Sequence, residues 1–133
     1  MPELIDTAAS AHPGAPNWVV ACLCAQWCIT CRDYCTAFDT VARAAPAGTA
    51  FVWIDIEDDS DWMGDVEVEN FPTLLIARNA AVPEVHFFGP MLPHAQQLTR
   101  LLASTQANNT PLRGVDAPVQ ELALRLQAVA APR

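Results

Sequence analysis

Lysine is absent from this 133-residue chain, and only seven arginines stand against fifteen acidic residues, for a formal net charge of −8. That balance argues against holding a phosphate backbone by charge, so nucleic acid is not an expected partner. Long apolar runs are missing too. The longest, Trp18 to Ala25, falls well short of the ~20 residues that span a bilayer, and no membrane segment is expected. The opening stretch MPELIDTAASAHPGAPNW has acidic residues where a secretory signal carries a basic region, and no apolar stretch follows. A cytoplasmic address is the expectation, in a compartment where clustered cysteines serve catalysis or metal binding more often than structural bridges. Charged residues make up only 17% of the chain and apolar residues 52%, the opposite of a disordered composition. Internal repeats and low-complexity tracts are lacking as well, and the length suits one domain with one real core.

What is present is ordered as strand, helix, strand, crossover, hairpin, helix. The run Trp18 to Ala25 reads as a buried central strand. From Cys31 onward Tyr34, Cys35, Phe38, Val41, Ala42 and Ala45 recur at helical spacing until Pro46-Ala-Gly48 stops the pattern. Phe51 to Ile56 is a second strand, followed by an acidic stretch from Asp55 to Glu69 with eight carboxylates and no basic residue. That stretch is expected as a solvated face, or as a surface that steers basic or neutral partners. Thr73 to Ala77 and Val82 to Phe88 form a hairpin whose second strand lies at a sheet edge, because Pro83 cannot donate to a ladder. Pro93 to Ser104 gives a further helix. Residues 107–133 follow as a linker and a last amphipathic helix, with Asp116 as its N-cap and a stripe of Val119, Leu122, Leu126 and Val129. The stripe either covers the domain's own core or forms a homodimer or partner seam.

All five cysteines fall within CLCAQWCITCRDYC, residues 22 to 35. They allow a metal cage, a disulfide framework or one redox pair. A cage needs four converging ligands, typically from two Cys-x2-Cys knuckles or one knuckle plus a histidine pair. Only one such knuckle exists here, and His12, His86 and His94 share no ligand spacing, so each is expected at the surface or satisfied in the core. No metal or iron–sulfur centre is expected. Among bridges, Cys22 and Cys24 on one strand lie ~6.6 Å apart between Cα atoms, close to the limit of ~6.8 Å. Cys31 and Cys35, one helical turn apart, hold their Cβ atoms ~5 to 6 Å apart where a disulfide wants ~3.8 Å. Cys28 and Cys31 flank the strand-to-helix junction, where an unwound first turn brings two sulfurs together. A cysteine at a helix N-terminus also faces unsatisfied N–H groups and the positive end of the macrodipole, which stabilise a thiolate. Cys28 is therefore the expected nucleophile and Cys31 the resolving thiol.

With those residues in view, the chain resembles the thioredoxin family over roughly residues 15 to 105. Trp27-Cys-Ile-Thr-Cys-Arg32 is similar to the family's Trp-Cys-x-x-Cys-Lys active site, and Asn70-Phe-Pro-Thr-Leu-Leu-Ile76 to the segment where a cis-proline opens the β-hairpin. Gly89 stands where the family has a glycine after the edge strand. The resemblance implies an α/β thioredoxin fold over residues 1–106, a central mixed sheet of four to five strands flanked by α-helices, with the C-terminal helix as an extra element. It implies that Pro72 is cis beside Cys28, that the backbone of Phe71 pairs with the substrate chain, and that Trp27, Ile29, Thr30, Phe71, Pro72 and Gly89 contact substrate.

The expected function is protein-disulfide reduction through a redox-active Cys28–Cys31 disulfide, with no bound cofactor and with electrons from an upstream dithiol or NADPH-linked reductase. The alternative is a non-catalytic adaptor or assembly factor. Departures from the family pattern bear on both. Cys22 replaces the Asp often found six residues before the nucleophile, Phe51 the lysine that accompanies it, Cys24 an aromatic, and Thr36 the proline that kinks the helix. Cys22, Cys24 and Cys35 are expected either as small buried hydrophobes or as accessory thiols, with Cys22 able to trap or relay a disulfide. Ile29-Thr30 between the active cysteines, in place of Gly-Pro, alters a potential that spans about −270 to −120 mV in such couples; the cytoplasmic address favours reduction.

Overall fold

The computed structural model describes residues 3–5, 17–25, 27–45 and 48–130; His12 lies outside them. A two-residue strand β1 (Glu3–Leu4) precedes β2 (Trp18–Cys24), α1 (Ile29–Ala44), β3 (Thr49–Asp55), a short α2 (Ser60–Met63), β4 (Thr73–Arg78), β5 (Glu84–Pro90), α3 (Ala95–Asn108) and α4 (Ala117–Ala130). The strands form one mixed sheet in the order β1-β3-β2-β4-β5. β2 and β3 run parallel, so α1 crosses between them, while β4 and β5 are the antiparallel hairpin. β5 is a sheet edge, and Pro83 sits just ahead of it, outside the ladder.

The unbroken apolar run of β2 is explained by its position. It pairs on both sides and is covered on both faces, so successive residues are buried in different halves of the core. Val19, Ala21 and Leu23 join Val52, Ile54 and Leu75 beneath α4, whereas Val20, Cys22 and Cys24 face α1 and α3. The inward stripe of α1 is Cys31, Tyr34, Phe38, Val41 and Ala42; of the positions read from the sequence, Cys35 instead turns out to be exposed and Ala45 is the C-cap, half-buried. The helix begins two residues earlier than that stripe, with Cys28 as its N-cap, and α3 runs on to Asn108, ended by Asn109 in the left-handed conformation.

The last helix belongs to the core. Val119, Leu122, Ala123 and Leu126 are buried in the half beneath the sheet. Arg125 donates to the Trp62 carbonyl from Nε at 3.0 Å and from its terminal nitrogen at 2.6 Å, and Gln127 both donates to and accepts from the Ala80 backbone. Val119, Leu122 and Leu126 of the stripe therefore cover the chain's own sheet; the side chain of Val129, the last expected member, lies outside those described. The Asp116 carbonyl accepts the first helical hydrogen bond, from the Gln120 amide.

The acidic crossover is mostly exposed, as expected, but Asp59 departs from that pattern. It is buried, and its carboxylate accepts the Asp55 amide at 3.0 Å, closing the turn after β3. His86 also departs from expectation. Its ring is buried edge-on to Trp18 at 4.8 Å between centroids, neither ring nitrogen has a hydrogen-bond partner, and Glu84 lies 3.8 Å away, too far for one. It is thus a core histidine without the partners expected of one, while His94 is exposed at the head of α3.

Two outcomes follow from this packing. Leu126→Ala should destabilise the whole domain by about 2–4 kcal/mol, read from the urea midpoint, where an appended helix would leave it unmoved. Burial lowers the His86 pKa, with Glu84 opposing and Arg78 adding a little. The unfolded chain therefore takes up a proton below about pH 6.5 that the folded chain refuses, and stability falls as pH drops through that value. Replacing His86 by Phe should flatten the loss between pH 7 and 5.5; an unchanged slope would remove His86 as its source.

Candidate active site

The site forms where β2 ends and α1 begins. Period-two alternation places Cys22 and Cys24 on the face of β2 beneath α1, and Cys31 is the first inward residue of that helix. The last residue of the strand face and the first of the helix face therefore meet. Cys24 and Cys31 are joined by a disulfide, with their Cα atoms 5.7 Å apart. This corrects the expected pairing: the bond to Cys31 comes from Cys24 and not from Cys28, which keeps its thiol. The physical reason is orientation. Cys31 points into the core at 1% exposure, towards a sulfur that is itself fully buried, whereas Cys28 sits half-exposed in extended conformation at the N-cap.

Backbone and thiol hydrogens contact these sulfurs. The Ala25 amide donates to Cys31 Sγ at 3.4 Å, and the Cys22 thiol donates to Cys24 Sγ at 3.7 Å. The Cys28 amide donates to the Ala25 carbonyl at 3.0 Å and the Arg32 amide to the Cys28 carbonyl at 3.1 Å, which fixes the turn and starts the helix. Burial pushes the Cys22 thiol well above its usual range, and the nearby Cys35 adds to it, so Cys22 is a neutral thiol at pH 7. Burial likewise raises the Tyr34 hydroxyl, with Cys22 contributing; that hydroxyl donates to Met91 Sδ. Of the three cysteines expected as buried hydrophobes or accessory thiols, Cys22 is a buried thiol, Cys24 is in the disulfide, and Cys35 is exposed.

Around Cys28 the surface is apolar. Trp27 is 57% and Ile29 71% exposed, and Thr30 is exposed beside them. The Trp27 ring stands perpendicular to Phe71 with centroids 5.7 Å apart, bringing the cysteine turn against the turn that opens β4. There the Phe71–Pro72 peptide bond is cis. Pro72 is buried and its carbonyl accepts the Met91 amide, while Gly89 pairs with Leu74 one strand away. Trp27 Nε1 also donates to Glu57 at 2.6 Å, tying the site to the acidic crossover. Sequence reasoning missed this link, since neither residue's spacing signals the other.

Among the described residues no group of three or more His, Cys, Asp or Glu is placed to hold a metal ion, and no helix is long and apolar enough to cross a membrane.

A mixed sheet with a cysteine at the head of the first long helix, facing a cis-proline turn, defines the class: an α/β domain equipped for thiol–disulfide chemistry. The chain belongs to the thioredoxin family, whose model, described as Thioredoxin, matches residues 12–110. No curated protein matches significantly. Among solved structures, mitochondrial thioredoxin 3 of Saccharomyces cerevisiae in oxidised form superimposes with a TM-score of 0.57 at 16% identity, over 75% of this chain and 94% of that one. The germline-specific thioredoxin Deadhead of Drosophila melanogaster gives 0.56 at 18%, over 66% and 80%. The thioredoxin of Malassezia sympodialis gives 0.53 at 18%, over 83% and 96%. At these identities the likeness is one of fold.

Proposed function

We propose that this chain is a thiol–disulfide oxidoreductase that reduces protein disulfides through Cys28 and Cys31. The observation that carries the proposal is the place of Cys28: a half-exposed thiol at the N-cap of a 16-residue helix, set between exposed Trp27 and Ile29. First-turn amide hydrogens converge there, and an extended substrate has an apolar platform on which to lie. In the reaction, Cys28 thiolate attacks a substrate disulfide, forming a mixed disulfide and releasing one substrate thiolate. Cys31 thiolate then attacks Cys28 Sγ, closing Cys28–Cys31 and releasing the second. The Ala25 amide, 3.4 Å from Cys31 Sγ, donates a hydrogen bond that supports negative charge on that sulfur.

In this reading Trp27, Ile29, Thr30 and Gly89 flank the bound chain, and the Phe71 backbone ahead of Pro72 pairs with it. The exposed carboxylates of the crossover favour basic or neutral substrates over acidic ones. Electrons come from an upstream dithiol or NADPH-linked reductase in the cytoplasm, without a bound cofactor. Any homodimer would use a surface other than the buried stripe of α4.

One observation favours a second reading, a non-catalytic adaptor: Cys31 is already bonded within the core. Dithiothreitol-driven insulin reduction separates the two. The wild-type chain should accelerate reduction, and Cys28→Ser should return it to the uncatalysed background. Cys31→Ser should accumulate a mixed disulfide with insulin, seen as added mass. A wild-type rate equal to background leaves the adaptor.

A further inference from the structure

Exchange through Cys28 and Cys31 leaves Cys24 without a role, yet Cys24 is the residue to which Cys31 is bonded. Cys24 ends β2, Cys28 caps α1, and Cys31 is the third residue of α1, so one sulfur stands between two possible partners. Cys28 packs against the same cluster that buries Cys22, Cys24 and Cys31. N-cap and third-position side chains of a helix are neighbours, which keeps Cys28 close to Cys31 as well.

We infer that Cys24 is a further exchange residue, which takes the oxidising equivalent from the Cys28–Cys31 couple and holds it in the core as the Cys24–Cys31 disulfide. The inference rests on the exchange chemistry proposed above. Cys24 thiolate attacks Cys31 Sγ; the Cys24–Cys31 bond forms, the Cys28–Cys31 bond breaks, and its electron pair leaves on Cys28. One disulfide and one thiolate stand on each side of the step, so no outside oxidant or reductant takes part. The proton lost by Cys24 is matched by one that Cys28 can take up from solvent. The reverse step returns the equivalent to the surface.

The surroundings favour the inward direction. Cys24 and Cys31 are 0% and 1% exposed, and a neutral disulfide is better suited to that apolar pocket than a thiolate. Cys28 is partly exposed at the head of α1, so the charge that leaves on its sulfur reaches solvent rather than the apolar pocket. The Cys22 thiol, 3.7 Å from Cys24 Sγ, supplies a hydrogen to that sulfur whenever it carries charge. After the step Cys28 is again a thiol, but Cys31 is occupied. A second substrate captured by Cys28 is then held as a mixed disulfide until the core bond opens, which turns a reductase into a capturing form.

Chymotryptic cleavage at Trp27 tests this directly, because it leaves Cys24 and Cys31 on different peptides and Cys28 and Cys31 on the same one. Fully reduced protein is treated with one equivalent of diamide, quenched with acid and a thiol-alkylating reagent at increasing times, digested and weighed. The intrapeptide Cys28–Cys31 bond should appear first and give way to the two-peptide Cys24–Cys31 species, while Cys24→Ala should stop at the first. Cys28→Ser, a change at a half-exposed position, should form the two-peptide species at least ~10-fold more slowly. A wild-type digest that never yields linked peptides, or an equal rate in Cys28→Ser, overturns the inference. Peptide masses report linkage and not turnover: a chain that exchanges internally but leaves insulin unreduced overturns the preceding function and leaves this step standing.

Discussion

The pairing of β2 with β3 on one side and β4 on the other leaves this strand no edge, and α1 and α3 above and α4 below leave it no wet face. A strand so enclosed satisfies its backbone in two ladders but offers side chains no water, so a polar group there needs a partner of its own. Cysteine meets the constraint as a small apolar residue that still carries chemistry. The family's frequent buried Asp and its lysine become Cys22 and Phe51, and both lie in the same core cluster. Replacing the two together is coherent, because losing either alone would leave an uncompensated buried charge.

That exchange of charge for sulfur changes what the junction can do. Where the family often has a carboxylate, Cys22 stands, so the exchange proposed for Cys28 and Cys31 would pass its protons to solvent at the partly exposed Cys28. The polar hydrogens that remain below, on Cys22 and Tyr34, belong to groups whose ionisation burial opposes. The interior therefore stabilises neutral sulfur. The Ala25 amide and the head of α1 supply the main fixed dipoles at the turn, one aimed at Cys31 and the other towards the N-cap where Cys28 stands.

Much of this architecture is legible in the chain because it follows from pattern. The apolar run of β2, the inward stripe of α1 and the edge position after Pro83 each express one physical rule, and each element stands where that rule puts it. The Cys24–Cys31 disulfide is not legible from spacing within one element or across the Cys-x-x-Cys turn, because its two sulfurs come from different elements. Pairing each inward residue of β2 with the inward stripe of α1 would have placed Cys24 against Cys31. β1 escaped because two residues carry no period, and Asp59 because one buried carboxylate among eight has no distinguishing neighbour in sequence.

A sulfur holds one disulfide at a time, and this single fact links fold to chemistry at the junction. Cys31 is the inward anchor of α1 on β2 and also lies within one helical turn of the exposed thiol, so its bonding state is felt on both sides. Bonded to Cys24, it fastens the first turn of the helix to the end of the central strand, and Cys28 stands alone beside Trp27. In the proposed exchange, release from Cys24 lets Cys31 pair with Cys28 and leaves two thiols, Cys22 and Cys24, in an apolar pocket that tolerates them uncharged. Cys22 enters as the neighbour that can hydrogen-bond to Cys24 in either state, which is a different role from that of the carboxylate it replaces: a base would move a proton, whereas this thiol stays neutral and orients a sulfur.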